Sequence, residues 1–350
     1  STSSGTGGRC HPDLIPTGER SHAHHPHHPD PSSPSSRPGN VLTQPRPRFL
    51  DTWSMKPRRI LKGTTYLLTR RTTQRMYLLR PSKAVNACIR YCLAIAQRRS
   101  GVLVHSVVFM SNHYHIIVTD IDGSLPLFTE ELNKQLARSL NRLHGRRENF
   151  FSSGDQTSQV ALVSEMDVLA KTVYALANPT KAMLVSHGSA WPGERIFCKG
   201  GYKAVKPKFF FRSADEGGKL PDRAVLTLTP PPIGVQEQLC DDVVRKAASA
   251  REKQLRDRAY SKRLKFAGAA AVKAQNIYNS PKTPASKGDI NPRVACRDKW
   301  RRIEVLSRLA SFVTDYREKR EAFIAGDTSV VFPAGTYQMT RQFGARCEPL

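Results

Sequence analysis

The sequence predicts an α+β fold, a ferredoxin-like antiparallel sheet with flanking helices, and three observations carry that prediction. Between Thr64 and Leu143, runs rich in β-branched and aromatic residues alternate with amphipathic stretches in the order strand, helix, strand, strand, helix. Capping and turn residues stand at the junctions, at Ser82, Gly101, Asn112 and Asp120 to Gly123. No apolar run approaches the roughly 18–20 residues of a membrane span, so these elements have the length of packed ones.

Each element follows from its residues. Thr64 to Arg71 (TTYLLTRR) has strand composition. Ser82 caps a helix over 83–99, with Val85, Cys88, Ile89, Cys92, Leu93 and Ala96 on one stripe, and Gly101 stops it. Val102 to Phe109 forms the second strand, and a Ser-Asn turn leads into a third that begins at His113. A helix over 129–143 carries Leu132, Leu136, Leu140 and Leu143, and residues 146–159 read as a polar loop. Ser164 and Asp167 open another helix, with Asp in place of the usual capping-box Glu. Met166, Leu169, Ala170, Val173, Leu176 and Ala177 form its expected core stripe, with Asp167, Lys171, Tyr174 and Asn178 opposite. Pro179 is expected to end it.

The formal charge of +26, in a chain that is 39% hydrophobic, points to a polyanionic partner, most simply nucleic acid. Seven scattered cysteines without a Cys-x-x-Cys pair argue against a disulfide framework and a four-cysteine zinc site. Cys88 and Cys92 read as core residues. Residues 1–54 are dominated by Ser, Pro, Gly, Thr and His, and a segment so poor in large apolar residues is expected to be disordered. The composition changes abruptly at Met55, which is expected to be the true start. Without a secretory h-region or a membrane span, the chain reads as soluble and cytoplasmic, with no membrane partner.

Two features bear chemistry. His113 and His115 stand two apart on a strand, so both imidazoles project from one face at a spacing that suits one metal ion. Two histidines leave most of the coordination sphere open, as a catalytic metal requires. Tyr174 and Asn178 are an i,i+4 pair, neighbours on a helix surface.

Together, Met110 to Val118 (MSNHYHIIV) and Tyr174 to Val185 (YALANPTKAMLV) strongly resemble the REP-associated tyrosine transposases, in the insertion-sequence-200-like, single-tyrosine branch of the HUH nucleases. The resemblance spans about residues 60 to 200. Ser111 stands where the family commonly has Pro, Lys181 where it has Arg, and Met183 where it has Gly. The likeness implies an HUH-type ferredoxin-like sheet and a Mg²⁺ or Mn²⁺ ion on His113, His115 and Asn178, with no nucleotide cofactor. It implies that Tyr174 attacks a scissile phosphate and keeps the 5′ end, so that single-stranded DNA is cleaved and rejoined at hairpin-associated sites. The implied partners are single-stranded or hairpin DNA, with the protein a nucleoid-associated monomer or homodimer. Arg70, Arg71, Arg146, Arg147 and Lys171 are candidate phosphate contacts. Asn112 is expected to shape the turn before His113, His105 to be a satisfied core histidine, and Trp191 either to stack on a base or to pack.

The expected organisation is a low-complexity segment over 1–54, a catalytic domain over 58–206 and a basic, mainly helical accessory region over 207–350. Residues 226–235 read as a Pro-rich linker, 235–275 as a basic helix facing nucleic acid, 299–323 as an amphipathic helix, and 330–337 as a late strand and turn. Three rivals share parts of this pattern. A catalytically silent, domesticated DNA-binding protein needs none of His113, His115, Tyr174 and Asn178, a relaxase-like HUH nuclease typically carries a more elaborate tyrosine motif, and a water-using phosphoesterase does not need Tyr174.

Overall fold

The computed structural model describes residues 57–152, 156–211, 220–283 and 292–349; the expected low-complexity segment and the expected start at Met55 lie outside them. The first strand, β1 (Thr64–Arg71), leads through α1 (Lys83–Ser100), β2 (Leu103–Phe109), β3 (His113–Asp120) and α2 (Leu125–Leu143) to β4 (Ser158–Leu162). These strands lie in the order β2-β3-β1-β4, all antiparallel to their neighbours. That is the ferredoxin-like arrangement, with α1 and α2 packed against each other on one side.

Local chemistry sets the boundaries. The Ser82 hydroxyl accepts from the Val85 N–H and caps α1, and Gly101 ends it at φ 71°, a left-handed conformation that favours glycine. At the start of α2 the buried Asp120 carboxylate accepts from the Ser124 and Leu125 N–H groups, so a strand residue caps the next helix.

Both faces of the sheet are buried, which is why its strands read as nearly continuous apolar runs. Tyr66, Leu68, Val107, Tyr114, Ile116 and Val118 face α1 and α2. Leu67, Val108, Ile117, Val160 and Leu162 pack on the other side, against α3 (Glu165–Leu176) and α5 (Glu237–Ser261). Cys88 and Cys92 lie fully buried in the first layer.

The antiparallel expectation is corrected: the sheet is mixed, with eight strands among the described residues. After the short helix α4 (Asn178–Lys181), the strands β5 (Arg195–Ile196), β6 (Gly200–Val205) and β7 (Arg223–Leu228) extend it beyond β2, and β7 runs parallel to β2. Past α6 (Ala269–Ala274), β8 (Val294–Ala295) runs parallel to β4 at the other edge. Segments returning from far along the chain thus cover two edges whose N–H and C=O groups would otherwise lack sheet partners.

Three further expectations are corrected. The loop assigned to 146–159 runs into β4, a strand too short and polar at its start to stand out by alternation. The linker assigned to 226–235 begins inside β7, where Leu226 and Leu228 are buried. The basic helix over 235–275 is broken after Ser261, and Gly268 at φ 85° precedes α6. In the C-terminal segment, α7 (Lys299–Ile324) packs Phe312 and Tyr316 against β9 (Val331–Phe332) and α8 (Gln338–Phe343), while Tyr337 packs on the main core, so residues 330–337 form the expected strand and turn between the two. The last strand, β10 (Arg346–Cys347), pairs with β9.

Candidate active site

Alternation along β3 puts His113 and His115 on the α3 side of the sheet, while Tyr114 is buried on the α1 side. Their ring centroids are 4.9 Å apart. Opposite them in register on β1 stand Arg71 and Thr69. The Thr69 hydroxyl lies 2.9 Å from His115 Nδ1, and Asn178 Nδ2 donates to His115 Nε2 at 2.6 Å. The His115 proton therefore sits on Nδ1, donated to Thr69.

Asn112 sets the second ring. Its Nδ2 donates to the Arg75 carbonyl, which leaves its Oδ1 to accept from His113 Nδ1 at 2.7 Å. His113 is thus also protonated on Nδ1, with the Nε2 lone pair presented outward. The Asn112 carbonyl accepts from the Thr72 N–H and hydroxyl, so this residue shapes the turn as expected and orients a histidine as well. Burial, with Arg71 and Arg75 nearby, pulls the His113 pKa down to about 4. Burial, His113 and the cations Lys181, Arg71 and Lys171 hold His115 well below the ordinary imidazole value. Both rings are neutral at physiological pH, the form that binds metal.

The tyrosine helix starts as expected. Ser164 and Asp167 form a reciprocal capping box, and Asp167 also accepts from the Arg297 N–H. Its core stripe is rotated from the expected one. Asp167, Val168, Thr172, Ala175 and Leu176 are buried, Met166 is exposed, and Leu169, Ala170 and Val173 line the cleft beside Tyr174. A helix packed against both a sheet and α5 buries a broader, shifted arc than a single-face pattern implies. The chain turns at Ala177 and resumes as α4, with Asn178 first and Pro179 in the first turn, so Asn178 opens a new helix instead of ending α3.

Tyr174 is 37% exposed at the cleft wall, its ring centroid 5.5 Å from that of His115. Lys181 Nζ lies 4.7 Å and Lys171 Nζ 5.7 Å from the ring centroid, two cations beside the phenol. Met183, where the resembled family has Gly, takes φ 59° and completes the turn after Lys181. Its carbonyl and that of Leu184 accept from Ala267 and Gly268, tying α4 to the C-terminal segment.

The four residues border an open cleft of about 2240 Å³. Arg71, Arg75, Lys171 and Lys181 line it from the catalytic side, and Arg251, Arg293, Arg297 and Arg302 from the C-terminal side. Arg251, on the predicted basic helix, had a sequence signal; Arg293, Arg297 and Arg302 had none, since only the fold carries them there.

The other candidates lie elsewhere. Arg70 shares the Tyr114 side of the sheet, donates to the Ser152 carbonyl and stacks over Phe151. Arg146 lies over Tyr278, and Arg147 is exposed on the loop after α2. Trp191 is buried and donates to the Phe109 carbonyl at 2.9 Å, a packing role. His105 is buried, with both ring nitrogens hydrogen-bonded, to the Thr229 carbonyl and to the Thr119 hydroxyl.

Among the described residues, no three His, Cys, Asp or Glu side chains gather in one place, so an ion here would rest on two imidazoles and an amide. That neutral set, with both Nδ1 atoms engaged, fits a labile divalent cation once the Asn178 amide, whose Nδ2 here donates to His115 Nε2, turns its oxygen toward the ion and frees that lone pair. No helix among the described residues is long and apolar enough to cross a membrane.

No protein-family model matches the chain, and no curated protein matches it. Among solved structures it is similar to a REP-associated tyrosine transposase bound to a REP hairpin, at 22% identity and a TM-score of 0.35. The match covers 40% of this chain and 81% of that one, a distant and partial likeness.

Proposed function

We propose that this chain is a metal-dependent, single-tyrosine enzyme that cleaves and rejoins single-stranded DNA. One observation carries the proposal: His113, His115, Tyr174 and Asn178, far apart in sequence and singled out by motif, converge on one wall of a cation-lined cleft. In this reading Arg71, Lys171 and Lys181 draw the phosphodiester backbone into the cleft and hold a phosphate against the Tyr174 hydroxyl. The hydroxyl oxygen attacks phosphorus, and the bond to the 3′-oxygen breaks. The phenolic proton passes to solvent, the departing 3′-oxygen takes one up, and the 5′ end stays on Tyr174 as a phosphotyrosine. A 3′-hydroxyl attacking that linkage reverses the step and joins strands without an external energy source. His113, His115 and Asn178 would hold a divalent ion, which would supply Lewis-acid polarisation of the phosphate. Asn112 and Thr69 keep the two imidazoles in the metal-binding tautomer.

The test is a denaturing gel of the protein with labelled hairpin and single-stranded DNA in Mn²⁺. The expected result is a covalent adduct that disappears with Tyr174→Phe and with EDTA. Binding without adduct across a broad hairpin panel would favour the silent DNA-binding protein, and cleavage that survives Tyr174→Phe would indicate a water nucleophile.

A further inference from the structure

On the opposite side of the sheet from the histidines, a second cavity of about 590 Å³ lies between α2, α7 and residues 57–60. Its volume falls in the range of small-ligand sites. Arg58, Arg70, Arg317 and Arg320 line it, with Glu130 as the one acidic lining residue. Guanidinium groups converging on one cavity suit an anionic ligand. Burial, together with Arg293 and Arg70, pulls the Arg58 pKa down to about 10, so that guanidinium is short of compensating charge.

Two buried polar atoms here lack partners. Arg58 Nε is a donor and Gln159 Oε1 an acceptor, and neither has a hydrogen-bond partner among the described residues. Burying such groups without a partner is unfavourable, so their presence in one cavity calls for a ligand that accepts at one end and donates at the other. A phosphate with an attached base has that character: anionic oxygens for the arginines, a ring or amino N–H for the glutamine.

The two cavities adjoin. Arg58 and Gln156 line both this pocket and the histidine cleft. Along β4, Ser158 and Val160 face the cleft while Thr157 and Gln159 face the pocket, so a strand rounding this end of the sheet passes from one to the other.

We propose that the Arg58–Arg317–Arg320 pocket is a second nucleotide subsite, which holds a nucleotide of the same single strand that occupies the cleft. This rests on the DNA-processing reading given above. The alternative source of the same chemistry is a free mononucleotide.

The experiment measures anisotropy of fluorescein-labelled oligothymidylates, one short enough for the cleft alone and one long enough to round the sheet, on wild type and on Arg317→Gln/Arg320→Gln. Both substituted residues line only the second pocket. The longer strand is expected to bind about tenfold more weakly to the variant, with a salt dependence shallower by roughly one to two. The short strand is expected to bind both proteins alike, and unchanged thermal unfolding excludes a folding defect. Loss confined to thymidine 5′-monophosphate binding would overturn the strand assignment in favour of a free nucleotide. Equal binding of every probe to both proteins would overturn the subsite. Because binding needs no turnover, a wild type that forms no Tyr174 adduct yet shows the length-dependent loss retains the subsite while the catalytic reading fails.

Discussion

Replacing Glu252 by Gln tests how the tyrosine helix is anchored. Glu252 lies on α5, and its carboxylate accepts from Arg195 Nη2 at 2.9 Å and from the Gly188 N–H at 3.0 Å. A Cβ at Gly188 would fall 2.4 Å from that carboxylate, so only glycine allows this approach. Arg195 Nε in turn donates to the Leu176 carbonyl, one of those left open at the C-terminal end of α3. The pair is buried, with side chains 13% and 7% exposed, and burial pulls the Arg195 pKa down despite Glu252. Desolvation therefore outweighs attraction, and the pair serves geometry more than net stability. Removing one partner strands a buried cation, which typically costs about 3–5 kcal/mol. Because Arg195 keeps its bond to Leu176, Glu252→Gln should cost about 3 kcal/mol. Arg195→Met/Glu252→Leu should recover about 1 kcal/mol of that, leaving about 2 kcal/mol for the Leu176 carbonyl and the Gly188 N–H, which both lose their partners. Urea unfolding of the three proteins measures both figures. A loss below about 1 kcal/mol in Glu252→Gln, or a double variant no better than the single, would refute this account of the strut.

Met183→Gly should stabilise the protein by about 0.5–1 kcal/mol, because a left-handed conformation costs a side-chain-bearing residue about 1–2 kcal/mol and glycine's greater unfolded-state freedom returns part of the gain. A lower thermal midpoint would contradict it. His113 has its folded pKa lowered from 6.5 to about 4, so the unfolded chain binds the proton first as pH falls. In EDTA, stability should therefore decline between about pH 6.5 and 4, by on the order of 3 kcal/mol from this residue, and the urea midpoint of His113→Gln should depend less on pH there. Trp191→Phe leaves the buried Phe109 carbonyl without its donor and should cost about 1–2 kcal/mol with single-strand affinity unchanged; lost affinity at full stability would restore the stacking role.

The sequence by itself determined strands β1 to β3 through their runs of β-branched and aromatic residues, and the ends of α1 and α3 through Ser82, Gly101 and the Ser164–Asp167 pair, because these signals act over a few residues. The four candidate site residues were readable for the same reason: His113 with His115, and Tyr174 with Asn178, each form a short-range pattern. Tertiary structure alone decided what lies opposite them. Strand β8 and the cleft arginines 293, 297 and 302 gain their position from a pairing with β4 across more than a hundred residues, and no local pattern encodes that. It also decided which side of α3 is buried, because α5 packs on that helix and moves Leu169 and Val173 into the cleft wall. Asn112 and Thr69 became hydrogen-bond partners of the histidines only once β1 and the turn before β3 were brought together, since a partner's identity depends on register and not on spacing.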